Sequence, residues 1–330
     1  MNPSRRNSLK LLSGLAGSMM LPGISAAQKT RYPSDTVNVV VPYGAGGSTD
    51  LIGRLLVNDV SERHGGKFFV ENKPGAAGNI GTRHVATSKP DGSTLLYSTA
   101  TPFAINPFVY KTLPFDPDND LVAVARTVQL PLVLVVNKEI GITNIKDFVQ
   151  YLKKNESTAS YSSYGVGVSS HIAGANFVNK IGAPGVLHVP YKDMRAMPDL
   201  AAGRNTFHID AWSTVAPLVK GGKLIPLAVS STSSLPWVPE LPTIAESIGE
   251  NYEIVTWHAV FTPKGTPAEI VAFLNEEFRT AVEKESSQKV FQEQGFVAYP
   301  HMKPAEIAEF IKADKARWKG YVKTAGIQPM

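Results

Sequence analysis

Tyr43-Gly44-Ala45-Gly46-Gly47-Ser48-Thr49-Asp50 returns 121 residues later as Tyr164-Gly165-Val166-Gly167-Val168-Ser169-Ser170-His171. Each copy reads Tyr-Gly-x-Gly-x-Ser, then a second hydroxyl residue, then a larger polar side chain. The first follows Val37-Asn38-Val39-Val40-Val41, a β-branched run that reads as a strand. The second follows Ala159-Ser160-Tyr161-Ser162-Ser163, a weaker strand of the same kind. Apolar residues at helical spacing come next in both: Leu51, Ile52, Leu55 and Leu56, then Ile172, Ala173, Ala175, Phe177 and Val178. The repeated unit is strand, glycine turn, hydroxyl N-cap, helix, with Ser48 and Ser169 as the expected caps.

Such a unit favours an anion. The first N–H groups of a helix lack intrahelical partners, and the macrodipole places partial positive charge on them. A carboxylate or phosphate is held there without lysine or arginine. A single copy is also what any strand-to-helix turn in an α/β protein looks like; two matched copies point to a shared task on two opposed walls.

Around these units the chain alternates strands and helices. Phe68–Glu71, the glycine-rich turn Asn72–Gly81 and the strand Thr94–Ser98 complete a βαβαβ unit, which implies a mostly parallel sheet covered on both faces. Leu121–Val128 and Leu132–Asn137 read as two strands broken at Pro131, where a domain crossing is expected. A second set of alternating elements follows, with strands at Val186–Val189, Phe207–Ala211 and Ile225–Ser230 and a helix over Val215–Lys220. The run Tyr252–Phe261 reads as a return strand, and the chain ends in helices at Pro267–Lys284, Ser287–Gln294 and Pro304–Thr324. Two crossings between two α/β lobes make a hinge.

The first residues read as an export signal. Arg5-Arg6 precedes an apolar stretch, and Ser25-Ala26-Ala27 suits cleavage after Ala27. The pair suits the twin-arginine route; Ser8, where that route prefers Phe, leaves the general secretory route open. A membrane anchor is a poor fit, because Ser13, Gly14, Gly17 and Pro22 interrupt a short stretch. Removing residues 1–27 takes away three basic residues and no acids, so the formal net charge falls from +5 to +2. That balance speaks against a nucleic-acid partner. The chain has no cysteine, which excludes disulfides and thiolate metal sites.

Several longer stretches resemble the Bug family of extracytoplasmic solute receptors, the substrate-binding proteins of tripartite tricarboxylate transporters. They are VPYGAGGSTD from Val41, ENKPGAAGNIGT from Glu71, PDGSTLLYS from Pro90, YSSYGVGVSSHIAG from Tyr161 and HVPYKDMRAMPDLAAG from His188. GGKLIPLAVSS from Gly221, PKGTPAEIVAFLNEE from Pro263 and RWKGYVKTAGI from Arg317 continue the match in order. The resemblance implies a two-lobed periplasmic-binding-protein fold of type II, which closes like a Venus flytrap on a small mono- or dicarboxylate. It divides the chain into a signal (1–27), lobe 1 (28–129), lobe 2 (130–252) and a return to lobe 1 (253–330). Family members are similar in gripping carboxyl groups with the two glycine-rich loops, often through ordered waters. By position this implies a first wall at Tyr43, Gly44, Ala45, Gly46, Gly47, Ser48 and Thr49. The second wall is Gly165, Val166, Gly167, Val168, Ser169, Ser170 and His171, with Asn106 and Asp210 also at the cleft.

The chain departs from the family pattern at Tyr43 (usually Phe), at Asn205-Thr206 (usually Val-Asp) and at Lys192-Asp193-Met194. His208 and Trp212 replace smaller apolar residues and are candidates for an aromatic wall, or for packing. Asp50 is a candidate for a ligand ammonium or hydroxyl, or simply a favourable acid in a first helical turn. His171 is either a carboxylate sensor or an exposed residue at a helix start; Lys192 and Arg195 read as surface charges.

The expectation is a monomeric periplasmic receptor, without cofactor or metal, that delivers a small organic carboxylate to a tripartite membrane permease. A rival is a sensor whose closed form engages a signalling partner. An enzyme acting on carboxylates fits worst: Gly44–Thr49 lacks the phosphate-loop lysine, Val168-Ser169-Ser170 lacks the hydrolase elbow, and the seven histidines show no metal spacing.

Overall fold

A computed structural model describes residues 32–33, 35–191, 195–299 and 301–329. The export signal and Lys192-Asp193-Met194 lie outside the described residues. From Tyr32 onward the chain forms one compact unit. Its elements are β1 (Val37–Val41), α1 (Ser48–Arg63), β2 (Phe68–Asn72), α2 (Asn79–Ala86), β3 (Thr94–Thr99), α3 (Asn106–Val109) and β4 (Leu121–Asn137). Then come α4 (Ile145–Lys154), β5 (Ser160–Ser163), α5 (Ser169–Lys180), β6 (Leu187–Pro190), α6 (Ala196–Ala201), β7 (Phe207–Ala211), α7 (Trp212–Lys220) and β8 (Leu224–Val229). The last are α8 (Ile244–Ile248), β9 (Val255–Pro263), α9 (Ala268–Glu283), α10 (Glu285–Gln294), β10 (Val297–Ala298) and α11 (Pro304–Thr324).

The long strand β4 organises the sheet. Along Leu121–Pro131 it pairs antiparallel with β9, and along Leu132–Asn137 it pairs antiparallel with β7 and β8. On one side β9 continues to β3, β1 and β2; on the other, β7 continues to β5 and β6. The expected break at Pro131 does not occur. The proline is accommodated because β4 changes partners there, so its missing N–H falls at the seam between two ladders.

Strand direction then fixes where ligands can approach. Strands β1, β2 and β3 are mutually parallel and, through antiparallel β9, run the same way as β4. Strands β5, β6 and β7 are parallel to one another and run against β4. The carboxyl edges of the two half-sheets therefore face each other across the middle of β4. Thr99, ending β3, lies level with His258 and Val128, while Ala211, ending β7, lies level with Leu132.

Each half-sheet is buried by apolar layers. Val39, Ile52, Leu56 and Val60 pack with Leu274, Phe278 and Phe291 on one face. On the other, Phe103, Trp257, Phe261 and Trp318 join Phe148, Phe177 and Phe207 in one continuous cluster. Fully buried side chains of this kind contribute about 1.5–3 kcal/mol each. Helix α11 spans both halves: Trp257 and Trp318 donate to buried Asp314, and Asn176 on α5 donates to the Tyr321 carbonyl at 3.0 Å.

Helix starts differ slightly from expectation. Gly47 and Val168, both in extended conformation, are the N-caps of α1 and α5, and no side chain caps either helix. Ser48 and Ser169 are each the first helical residue. Helix α7 begins at Trp212 rather than Val215, so it starts directly at the end of β7.

Candidate functional site

The two glycine units share the same internal lock, although their first glycines differ, Gly165 having φ +134° and Gly44 no positive φ. Gly46 and Gly167 sit at φ +81° and +85°, a region other residues enter at a cost. The Gly46 N–H donates to Asp50 Oδ2 at 2.9 Å, and the Gly167 N–H donates to His171 Nδ1 at 3.1 Å. Leu51 and Ile172 then make the first helical bonds, to the carbonyls of Gly47 and Val168. The polar residue ending each unit thus locks its own loop. The N–H groups of Gly46 and Gly167 are used internally, and the donors left at each wall include those of the first helical turn, which precede the first helical bonds at Leu51 and Ile172.

The first wall is braced from below. Asp50 is buried and also accepts from Asn72 Nδ2 at 2.8 Å and Arg54 Nε at 3.0 Å. Burial works against its charge, but bonds from Arg54, the Gly46 N–H and Asn72 outweigh it and hold the carboxyl below its ordinary range. Asp50 is therefore occupied within the loop. The Tyr43 hydroxyl lies 2.6 Å from Thr99 Oγ1, and burial pushes its phenol up despite hydroxyls nearby. Thr49 Oγ1 is 3.5 Å from His258 Nε2, which ties the wall to β9. Gly44, Ala45, Gly46 and Gly47 are exposed.

Asn106 is buried, and its amide donates to the Ala77 carbonyl and to Asn79 Oδ1. It holds the loop after β2, where Gly75, Ala76, Ala77 and Gly78 all have positive φ.

The second wall is built on stacked rings. His171 is buried, not exposed as one reading had it, and its ring stacks on His188 at 3.8 Å; Tyr161 stacks beyond at 4.9 Å. Burial lowers both imidazoles to about 4. Val166 and Val168 are exposed at the lip, Gly165 and Ser169 are half-buried, and Ser170 is buried with its hydroxyl unpartnered. This wall touches the other half directly, since a Cβ on Gly167 would lie 3.0 Å from Val109 Cγ1 of α3.

Asp210 ends β7 at the same edge, with Oδ1 accepting from the Ala211 N–H at 2.7 Å. His208 is fully buried, its Nδ1 2.8 Å from Ser162 Oγ, so it is an interior side chain rather than a wall. Trp212 packs among Val215, Leu235 and Val238 and against Gly295, which assigns it to packing. Tyr164 opens the repeated unit directly after β5, whereas His188 on β6 and His258 on β9 were not singled out from sequence; each reaches the site from a separate strand, and no local spacing marks them.

A hollow elsewhere surrounds Arg126, whose buried guanidinium lies 3.2 Å from the Tyr299 ring centre and 3.6 Å from that of Phe310. Burial lowers it to about 10 against the opposing effect of Tyr299 and Asp314. Among the described residues no group of three or more histidines and acids could hold a metal, and no helix is long and apolar enough to cross a membrane.

Comparison with known proteins gives a consistent set of likenesses. The family model described as tripartite tricarboxylate transporter family receptor matches residues 52–327. A protein of Pseudomonas sp. (strain P51), described as UPF0065 protein in the tcbD-tcbE intergenic region, is 32% identical over 94% of this chain and 92% of its own. The solved structure of R. palustris Rpa4515 with adipate is 33% identical, covers 91% of this chain and 100% of its own, and superposes with TM-score 0.80. That of the periplasmic binding protein BugD is 31% identical with TM-score 0.75, covering 91% and 100%.

Proposed function

The chain belongs to the tripartite tricarboxylate transporter receptor family, and on that premise we propose that it captures a small organic carboxylate in the periplasm. It then hands the ligand to the membrane permease of such a transporter. The observation that carries this reading is the pair of equivalent glycine units on carboxyl edges that face each other across β4. Residues 28–129 with 253–330 form one lobe and 130–252 the other, and the chain passes between them twice. In the open form each wall offers N–H groups from the first turn of α1 or α5. Closure brings both sets onto one ligand.

Backbone donors and helix starts recognise a carboxyl group without a basic residue. Each charge-assisted bond contributes roughly 1.5–3 kcal/mol, so a handful supports about micromolar affinity, which corresponds to roughly 8 kcal/mol. A diacid can bridge both walls, and the adipate named with the R. palustris relative is a diacid. Closure alters the surface seen by the permease, which lets the loaded form be selected.

The test is thermal unfolding against aliphatic and aromatic mono-, di- and tricarboxylates. A ligand at 1,000 times its Kd adds about 4 kcal/mol, on the order of ten degrees. No shift with any carboxylate, in protein shown to be free of copurified ligand, would sink the reading.

A further inference from the structure

Arg126 on β4 is only 6% exposed, yet its Nε and Nη1 have no hydrogen-bond partner in the protein. The Tyr299 and Phe310 rings, whose centres are 6.1 Å apart, flank the guanidinium. Ring faces attract a cation but offer no lone pair to the N–H groups at its edge. Tyr299 and Asp314 favour the charge electrostatically, but neither supplies an acceptor to those two nitrogens. Asp314 is taken by Trp257, Trp318 and Arg317. A guanidinium keeps its charge at neutral pH. A buried charge with no counter-ion at its donor edge is costly, and folded proteins leave few buried donors unpaired.

The hollow that Arg126 lines measures about 20 Å³, room for one water-sized occupant and too little for a carboxylate or a phosphate. Its sides are fixed by Asn275 on α9, which donates to the Val124 carbonyl at 2.6 Å and to the Met302 carbonyl at 3.0 Å. Arg279 and Glu283 also line it. Glu283 is bonded to Arg279, which donates to Glu276 as well at 2.8 Å, so the carboxylate in the lining is already engaged. We propose that this hollow is a halide site, in which a single chloride ion accepts from Arg126 Nε and Nη1. A water accepts such bonds too, but it leaves the charge uncompensated. The ion's task is structural: it ties β4 to α9 and to the segment between β10 and α11. The site is independent of the carboxylate reading, since none of its residues belongs to either glycine wall.

Urea unfolding in sodium chloride, bromide and gluconate at matched ionic strength tests this, with Arg126→Met as the comparison. Methionine keeps an unbranched chain between the two rings and cannot hold an anion. At ten times its Kd, chloride should raise the wild-type folding equilibrium constant about tenfold over gluconate, with bromide close behind. The gain should saturate, and Arg126→Met should lose most of it. No saturable gain in the wild type would overturn the site. So would equal gains in both proteins, which would assign the effect to bulk salt or to halide at the glycine walls. Wild-type crystals grown in bromide keep the test available where the variant fails to fold. An anomalous peak should appear in contact with Arg126 Nε and Nη1; a water at that place, or a peak at the glycine walls only, would overturn the proposal.

Discussion

Ser230 and Leu132 are joined twice: the Ser230 N–H donates to the Leu132 carbonyl, and the Leu132 N–H donates to Ser230 Oγ, each at 2.8 Å. The same hydroxyl donates to the Ile254 carbonyl at 2.6 Å, and the Ile254 N–H returns to the Ser230 carbonyl at 3.2 Å. One fully buried serine thus clasps β4 just past its change of partners to the segment entering β9. In the proposed two-lobe arrangement these are the two crossings, and the clasp keeps them in register as the lobes move. Ser230→Ala leaves a buried N–H and a buried carbonyl short of a partner, at about 1–3 kcal/mol for each group left unsatisfied. Urea unfolding should show a loss of about 2–3 kcal/mol on that basis. A change below about 0.5 kcal/mol, the scale of an ordinary surface substitution, would mean the crossings hold without it.

Asp50 should matter to stability more than to ligand chemistry. It accepts from a backbone amide, a side-chain amide and a guanidinium, so Asp50→Ala strands three donors at once. Bonds to charged groups contribute about 1.5–3 kcal/mol each, and removal of their common acceptor should cost about 3 kcal/mol in total. Asp50→Asn keeps part of the shape and should fall between. A variant that melts like wild type yet loses ligand affinity would instead place Asp50 in direct contact with ligand.

The alternation of strand and helix, and both glycine turns, were legible because they depend on short-range signals: β-branched runs, helical apolar spacing and residues suited to positive φ. The seam at Pro131 was misread as a break because proline opposes a ladder locally, and only the change of partners makes it harmless. The locks inside the loops were also hidden. Asp50 and His171 occupy the same place in the pattern, but nothing in a sequence says that a side chain will turn back onto the glycine four residues earlier. Contacts such as Thr49 with His258, or His171 on His188, join strands far apart in the chain and follow from topology alone.

Gly46 and Gly167, both at positive φ, should respond differently to alanine. A Cβ on Gly46 meets nothing within 4 Å, so Gly46→Ala carries only the conformational cost, about 1–2 kcal/mol. A Cβ on Gly167 would approach Val109 Cγ1 to 3.0 Å, so Gly167→Ala adds overpacking of about 1 kcal/mol or more where the second wall meets α3. Denaturant midpoints should therefore rank wild type, Gly46→Ala, Gly167→Ala in falling order. The reverse order of the two variants would show that the Val109 contact yields freely.

Acid should destabilise the second wall before the carboxylates titrate. Burial lowers the His171 and His188 imidazoles from 6.5 to about 4. The unfolded chain binds those protons more readily than the folded one, so this contribution is complete above the unfolded value of 6.5. It is lost as pH falls towards 4, and levels off below that. At pH 5 buried His171 has removed about 2 kcal/mol, and half-buried His188, whose interactions solvent screens, about 1 kcal/mol. Protonation also ends the role of His171 Nδ1 as acceptor for the Gly167 N–H, and it sets two positive rings 3.8 Å apart. Urea unfolding at pH 7.5 and pH 5 should therefore differ by several kcal/mol. His188→Phe keeps a ring between Tyr161 and His171 but cannot titrate, so it should reduce that difference by about 1 kcal/mol. An unchanged difference in the variant would show that His188 is not neutral by virtue of burial, and that the acid sensitivity lies elsewhere.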